Sequence, residues 1–246
     1  MIWHKQYLIE TDSTNRYLKE LAATGAPEGT VIIAGRQSAG RGRLGRSFFS
    51  PEEKGIYMSI LLRPELTLER SVLITSMAAV AVARAIERTG GVSAKIKWVN
   101  DIFINQKKAC GILTEAGIDA EAGVLEYAVL GIGINVGVME FPEELKEIAT
   151  SVSNECGFDV SKEVLIDEVL NELEVWYPTL ADGRFLEESK RMSLLLGKEI
   201  LVLDERAPGG FYTAKAVDIN ELGNLIIERD GITQVLNSGE VSIRFS

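Results

Sequence analysis

The 246-residue sequence contains a single histidine, His4, and only two cysteines, Cys110 and Cys156. A Ser-His-Asp triad would have to use this one histidine, and a histidine-based zinc site would lack ligands. The two cysteines are far apart in sequence and form no metal-binding or redox motif, which favours a reducing, cytoplasmic setting. The chemistry must therefore depend on carboxylates, lysines, arginines and backbone dipoles, and no metal-ligand set is predicted.

The sequence also lacks long apolar runs and an excess of positive charge. Its most apolar segment, Val72 to Ala83, is shorter than the roughly 20 apolar residues that a membrane span needs. The residues that follow Met1 do not resemble a signal peptide. The net charge is −10, so the chain does not offer the basic face that nucleic acids require. We therefore predict neither a membrane nor a DNA partner.

The hydrophobic periodicity predicts an α/β (α+β) catalytic domain with a mixed sheet flanked by helices, followed by a small β-barrel. The catalytic domain is expected to span residues 1–196 and the barrel residues 197–246. Helical spacing marks Ser71–Thr89, which is apolar nearly all round, and then Lys162–Leu180 and Arg184–Leu196. The pattern of the last fifty residues instead predicts short strands separated by turns, as in a small barrel.

One short loop, Gly40–Arg46, carries three arginines and three glycines in this acidic chain, and no acid occurs between Val31 and Pro51. Glycines let backbone N–H groups approach an anion, and each arginine offers a planar fork of donors. A local cation cluster on an acidic background indicates a specific anionic ligand. The alternative is a solvated surface loop without a ligand.

The same letters spell G-x-G-x-x-G, the fingerprint of dinucleotide-binding folds. The apolar run Val31–Ala34 precedes the loop as a strand would. A Rossmann fingerprint must then open a helix, whereas Ser47–Gly55 contains a proline, a further glycine and no helical spacing. The match is therefore interpreted as a coincidence.

Four further segments carry groups suited to a binding site: Ser13–Asn15, Lys97–Asp101, Lys107–Gly111 and Gly131–Asn135. Taken singly, the first three are also explained by helix capping, a solvent-facing strand edge and a solvated turn. The fourth places two glycines inside an apolar strand, which favours the close approach of a ligand or of another backbone over simple packing.

Together these segments resemble the biotin protein ligase family, in the family's order and spacing over about half the chain. The residues that carry the resemblance are Thr11-Asp12-Ser13-Thr14-Asn15, Gln37 with Gly40-Arg41-Gly42-Arg43-Leu44-Gly45-Arg46, Lys97-Trp98-Val99-Asn100-Asp101, Lys108-Ala109-Cys110-Gly111-Ile112-Leu113 and Gly131-Ile132-Gly133-Ile134-Asn135. Two residues depart from the family pattern. Val99 stands where proline is usual, and Phe48 where tryptophan is frequent.

The resemblance implies an SH3-like C-terminal barrel and a two-step reaction. Biotin and ATP, with Mg²⁺, form biotinyl-5′-adenylate, and a lysine of a biotin carboxyl carrier protein or domain then takes the biotinyl group. Many relatives begin with a DNA-binding winged helix. Because Ser13 comes so early here, we expect the form that lacks it. Homodimers are frequent in the family, so a homodimer is possible.

The resemblance also implies roles for individual residues, which fall into three overlapping groups. Catalytic roles fall to Lys108, Arg43, Arg41, Asp101 and Lys97. Biotin contacts fall to Ser13, Thr14, Asn15, Gln37, Gly40, Arg41, Gly42, Arg43, Lys108, Gly111 and Gly133. Nucleotide contacts fall to Arg43, Arg46, Phe48, Lys97, Trp98, Asn100, Asp101, Gly131 and Asn135.

Three alternatives remain open from the sequence. One is a lipoate ligase or acyltransferase, whose chemistry also proceeds through an acyl-adenylate. The arginine loop and the Lys97–Asp101 segment favour biotin over this alternative. A non-catalytic sensor would bind biotin or its adenylate and regulate a partner. A nucleotide-binding dehydrogenase is the weakest alternative.

Overall fold

A computed structural model describes residues 1–42, 45, 48–119, 123–204, 207–237 and 241–242. The strands are β1 (His4–Thr11), β2 (Thr30–Gln37), β3 (Gly55–Leu62), β4 (Ala94–Lys97), β5 (Asp101–Ile104), β6 (Lys107–Asp119), β7 (Val124–Asn135), β8 (Glu199–Leu203), β9 (Phe211–Ile219), β10 (Leu225–Arg229), β11 (Ile232–Leu236) and β12 (Val241–Ser242). The α-helices are α1 (Thr14–Ala23), α2 (Val72–Gly90), α3 (Val152–Cys156), α4 (Lys162–Trp176) and α5 (Phe185–Arg191).

The first seven strands form one mixed sheet in the order β1-β2-β3-β7-β6-β5-β4. Only β1 and β2 pair in parallel, and every other neighbouring pair in this sheet is antiparallel. Because β2 and β3 are antiparallel neighbours, the arginine loop between them is not the strand-to-helix turn of a dinucleotide-binding fold. The predicted mixed sheet with flanking helices is confirmed.

Helices cover both faces of this sheet. On one face, α2 and α4 pack on the main hydrophobic core, which takes Leu130, Ile132 and Ile134 of β7. On the other face, α1 packs on a smaller apolar cluster that includes Leu61 and Val129. Since side chains alternate along a strand, successive residues of β7 serve opposite layers. None of the helices in the described residues is long and apolar enough to cross a membrane.

The remaining strands form a second sheet of five antiparallel strands in the order β11-β10-β9-β8-β12. It contacts the first sheet where the indole nitrogen of Trp98 donates to the carbonyl oxygen of Gly223 at 2.8 Å. Trp98 is buried, so this hydrogen bond is shielded from water. The small C-terminal β unit expected from the sequence is confirmed, whereas the boundary between residues 196 and 197 stays a prediction.

Two helical segments differ from the sequence expectation. The helix predicted over Arg184–Leu196 ends at Arg191, because the next residues turn to pair with β4. The amide of Ile96 donates to the carbonyl of Met192, and the amide of Leu194 donates to the carbonyl of Ile96. The short helix α3 was not predicted. It is capped by Ser151 and ends at Gly157 in the left-handed conformation.

We expect Trp98→Phe to lower the free energy of unfolding by about 1–3 kcal/mol, because it leaves the buried Gly223 carbonyl without its donor. Urea denaturation measures this change. Trp3→Phe is the control, since the buried Trp3 indole nitrogen has no hydrogen-bond partner in the part of the chain that the structure describes. Equal losses in the two variants would contradict the assigned role of the Trp98 hydrogen bond.

Candidate active site

The candidate site lies on the α1 face of the main sheet, above a floor that lacks side chains. Along β7, Gly131 and Gly133 point to this face. In the register of the sheet Gly133 lies opposite Gly111 of β6 and Tyr57 of β3. Gly131 lies opposite Ser59 of β3. At these glycines no side chain of the sheet itself projects towards α1, so a neighbouring group can approach the backbone closely.

Neighbouring side chains already occupy the space above these glycines. A methyl group at position 131 would lie 2.2 Å from Asn15 Oδ1, and one at position 133 would lie 2.6 Å from the Phe48 ring. Both distances are far below van der Waals contact, so any larger residue would displace Asn15 or Phe48. The glycines that the sequence marked are thus required by close side-chain packing on the floor.

These groups surround one pocket. It is lined by Ser13, Thr14, Asn15, Gln37, Arg41, Gly42, Phe48, Met58, Asn100, Lys108, Gly111, Ile112, Leu113, Gly131, Ile132 and Gly133. Twelve of these sixteen residues were predicted for the site from the sequence. The other four, Met58, Ile112, Leu113 and Ile132, are apolar residues of β3, β6 and β7 that were not among the predicted site residues.

One end of the pocket is neutral and polar and is built at the N-terminus of α1. The amide and the hydroxyl of Thr14 point at Gln37 Oε1, at 2.9 and 3.1 Å. The buried hydroxyl of Ser59 lies 2.7 Å from Thr14 Oγ1 and 2.6 Å from Asn15 Oδ1. This end therefore offers hydroxyl and amide groups whose orientations are fixed by one another.

The opposite end is cationic. Lys108 Nζ forms an ion pair with Asp101 Oδ1 at 2.8 Å, and Asn100 Nδ2 donates to the same oxygen at 3.1 Å. The side chains of Lys108 and Asp101 are 35% and 21% exposed, so both are partly shielded from water. The position of a methyl group at Gly111 lies 3.2 Å from Lys108 Nζ. The ammonium group therefore lies directly above the glycine floor, where an anion would contact it.

The arginine loop borders the same pocket through Arg41 and Gly42. Its base is closed where the Phe48 amide donates to the Gly40 carbonyl at 3.0 Å. The predicted residues Arg43 and Arg46 lie outside the described residues, so their roles stay predictions.

Tyr57 fixes the segment that leaves the loop. Its hydroxyl donates to the Pro51 carbonyl at 2.8 Å, and its ring meets Phe48 edge-to-face with 6.5 Å between ring centroids. Burial, with a smaller contribution from Glu53, raises the pKa of Tyr57 above its ordinary value. The phenol therefore remains a donor at neutral pH and holds Phe48 over the floor.

Besides Asp101, which is paired with Lys108, three described residues predicted to contact the nucleotide do not line this pocket. The Trp98 indole is buried against the C-terminal sheet, and Lys97 Nζ lies 5.6 Å from the centre of the Phe103 ring. Asn135 lies two residues beyond Gly133 on the same face of β7. Its Nδ2 donates to the Thr150 carbonyl at 3.0 Å. Its Oδ1 is buried and has no hydrogen-bond partner among the described residues. Contact between any of these three residues and a nucleotide stays a prediction.

Sequence reasoning missed two polar residues beside the pocket, Ser59 and Glu115. Glu115 accepts from Asn15 Nδ2 at 2.9 Å and from Lys19 Nζ at 3.0 Å. Burial raises its pKa, but these hydrogen bonds and the charges of Lys19 and Arg41 outweigh burial, so the pKa of Glu115 is lowered. The sequence shows on which face of its strand each of Ser59 and Glu115 lies. It does not show their hydrogen-bond partners, which are far away in sequence. Within the described residues, no cluster of three metal-ligating side chains is present.

Comparison with known proteins identifies the family. Residues 7–135 match the Biotin/lipoate A/B protein ligase family, and residues 195–244 match the Biotin protein ligase C terminal domain. The chain therefore belongs to the biotin/lipoate A/B protein ligase family. Its second sheet coincides with the C-terminal domain that the second match describes.

Individual relatives agree with this assignment. The bifunctional ligase/repressor BirA of Bacillus spizizenii is 39% identical over 244 residues, which cover 95% of this chain and 73% of that protein. The biotin–[acetyl-CoA-carboxylase] ligase of Mycobacterium tuberculosis is 30% identical over 249 residues, covering 95% and 86%. The biotin protein ligase from Aquifex aeolicus, solved in complex with biotin and ATP, is 31% identical over all of both chains, with a TM-score of 0.83.

We expect Gly131→Ala to lower the free energy of unfolding by about 1–3 kcal/mol, because the added methyl group must displace the Asn15 amide. Chemical denaturation measures the change. Gly137→Ala is the matched control, since a methyl group there meets its nearest neighbour at 3.6 Å, an ordinary contact. An unfolding free energy unchanged in both variants would show that the floor tolerates a side chain.

Proposed function

We propose that this ligase activates biotin with ATP and transfers it to a lysine of a biotin carboxyl carrier domain. The observation that carries the proposal is the arrangement of the pocket. A neutral polar end at Thr14 and Gln37 is joined to a cationic end at Lys108 by a glycine floor. Biotin has the complementary order of groups, with a cyclic urea at one end, an apolar body and a carboxylate at the other. The relative from Aquifex aeolicus, solved with biotin and ATP, supports the same ligands here.

In the first step, a carboxylate oxygen of biotin attacks the α-phosphorus of ATP. The new O–P bond forms as the bond to pyrophosphate breaks, which gives biotinyl-5′-adenylate. The carboxylate is already ionised at neutral pH, so no general base is needed. Two anions must approach each other, and the barrier falls when fixed cations neutralise them. Lys108, which lines the pocket, is our candidate for this role, with Arg41 and Arg43 as further predicted cations.

The region beyond Lys108 has the groups that a nucleotide requires. Asn135 Oδ1 is a buried acceptor without a hydrogen-bond partner in the described part of the chain, which suits an amino donor of a base. Phe48 presents an aromatic ring beside the floor. Mg²⁺ usually keeps several waters and binds through one or two carboxylates plus substrate phosphates. Asp101 is a carboxylate next to Lys108 that would help to hold the ion, whose charge would offset that of the phosphates.

In the second step, the amine of the acceptor lysine attacks the biotinyl carbonyl carbon. An amide bond forms, the bond to the phosphate oxygen breaks and AMP leaves. A free lysine has a pKa of about 10.4, so a nearby carboxylate that takes its proton speeds the reaction. Asp101 is our candidate, and its ion pair with Lys108 directs the carboxylate at the cationic end.

The remaining assignments stay predictions that this proposal includes. Ser13 and Gly42 line the pocket and Gly40 lies beside Gln37, and all three stay predicted biotin contacts. Lys97, Trp98 and Arg46 are the least supported nucleotide contacts. The carrier partner, a homodimer and the absence of DNA binding are likewise predictions. Both cysteines are free thiols, which fits the cytoplasmic setting that we propose.

Pyrophosphate–ATP exchange tests the first step and its substrate. We expect exchange with biotin as the acid and none with lipoate or octanoate, because neither of these acids has a urea for the polar end. Exchange only with lipoate or octanoate would keep the adenylation chemistry but refute biotin as the substrate. Tight biotin binding without exchange for any acid would identify a non-catalytic sensor.

We expect Asp101→Asn to slow transfer from pre-made biotinyl-adenylate to a carrier domain by about a hundredfold or more, since the neutral amide cannot take the amine proton. Starting from the adenylate separates this effect from the first step. Asp182→Asn is the matched control, because Asp182 is also paired with a cation but is distant from the pocket. Full transfer by Asp101→Asn would remove Asp101 as the base.

A further inference from the structure

Glu115 lies beside the polar end of the pocket but does not line it. It follows Gly111 and Leu113 on the same face of β6 and is 24% exposed. Its two carboxylate oxygens accept from Asn15 Nδ2 and Lys19 Nζ. An ionised carboxylate can only accept hydrogen bonds. The Asn15 amide must therefore turn its NH2 group towards Glu115.

This constraint fixes the other end of the Asn15 side chain. Asn15 Nδ2 also donates to the Leu113 carbonyl at 3.2 Å, so both amide hydrogens are directed at β6. Asn15 Oδ1 then faces Ser59 Oγ at 2.6 Å. The reversed orientation would place Oδ1 against a carboxylate and a carbonyl oxygen, and Asn15 is too deeply buried for water to relieve that repulsion.

The orientation of Asn15 also affects the hydrogen bonds of Ser59, which contacts Thr14 at the pocket. Ser59 has a single hydroxyl hydrogen, and Asn15 Oδ1 requires it because an amide oxygen cannot donate. Ser59 Oγ is also the donor in its 2.7 Å contact with Thr14 Oγ1, so its hydroxyl hydrogen is shared between Asn15 and Thr14. The Thr14 hydroxyl, which accepts from Ser59, in turn donates to Gln37 Oε1, as the Thr14 amide does, and within the described residues this leaves the NH2 group of Gln37 as that residue's free donor.

We propose that Glu115 is a positioning residue which, through Asn15 and Ser59, sets the direction of the hydrogen bonds at the polar end. Thr14 Oγ1 consequently keeps a lone pair for the pocket, and Gln37 offers a donor. An acceptor beside a donor matches an N–H group next to a carbonyl. Glu115 thereby selects acids that carry an amide or a cyclic urea. This inference rests on the proposed function and extends it to substrate selection.

Glu115→Gln tests the proposal, because glutamine has the same shape but no charge and can donate as well as accept. We expect the KM for biotin in pyrophosphate exchange to rise about ten- to a hundredfold, the range of a hydrogen bond to a charged group. The kcat at saturating biotin and the KM for ATP should not change. Glu20→Gln is the control, since Glu20 is exposed on α1 and takes no part in this chain of hydrogen bonds.

Ser59→Ala provides a second, independent test. It interrupts the same chain and should raise the KM for biotin to a similar extent. In the double variant with Glu115→Gln the two effects should not multiply, because interrupting the chain at one point already removes its effect on Thr14. If Glu115→Gln does not fold, Ser59→Ala alone decides the matter, and an unchanged KM would contradict the proposal.

The outcomes separate this inference from the proposed function. Wild-type exchange with biotin together with an unchanged KM in Glu115→Gln would overturn only the role of Glu115. Effects that multiply in the double variant would also overturn it, since they indicate two independent structural defects. The absence of biotin-dependent exchange in the wild type would instead overturn the proposed function.

Discussion

The absence of side chains at Gly131 and Gly133 is the constraint on which the site depends. Both residues face α1 in the central strand of the main sheet, where Asn15 and Phe48 pack directly on their backbone. The opposite face of β7 carries isoleucine and leucine that fill the main core. The strand thus carries large apolar side chains on one side and, at these two positions, none on the other, where Asn15 and Phe48 take the space. A pocket can form at the centre of the sheet without a break in its hydrogen bonding.

The charges of the site are organised along this face. The chain as a whole is acidic, yet Lys108 and Arg41 border the pocket, and Asp101 and Glu115 each hold a lysine beside it. Ion pairs of this kind add little to stability when they are exposed. Their value here is orientation, because each carboxylate fixes a neighbouring group relative to the floor. Lys108 offers a cation to an anionic group, whereas Thr14 and Gln37 offer hydrogen bonds to a neutral one.

Much of the site could be predicted from sequence because its residues carry local signals. Two glycines in an apolar strand, cap residues before α1 and three arginines in a glycine loop are each unusual where they stand. Ser59 and Glu115 carry no such signal. Their function comes from strand pairing that brings Ser59 beside Asn15 and Asn15 beside Glu115, residues that are 44 and 100 positions apart. The early end of α5 has the same origin, since pairing with Ile96 overrides the local helical pattern.

Intact-mass analysis of a purified carboxyl carrier domain, incubated with this protein, biotin, ATP and magnesium, tests the central claim most directly. The account predicts that the carrier gains the mass of one biotinyl group on a single lysine. That gain should require both biotin and ATP, and lipoate should not replace biotin. A carrier that stays unmodified, while the same preparation of protein forms the adenylate, would contradict transfer. Modification by lipoate in place of biotin would contradict the assignment of the polar end to a cyclic urea.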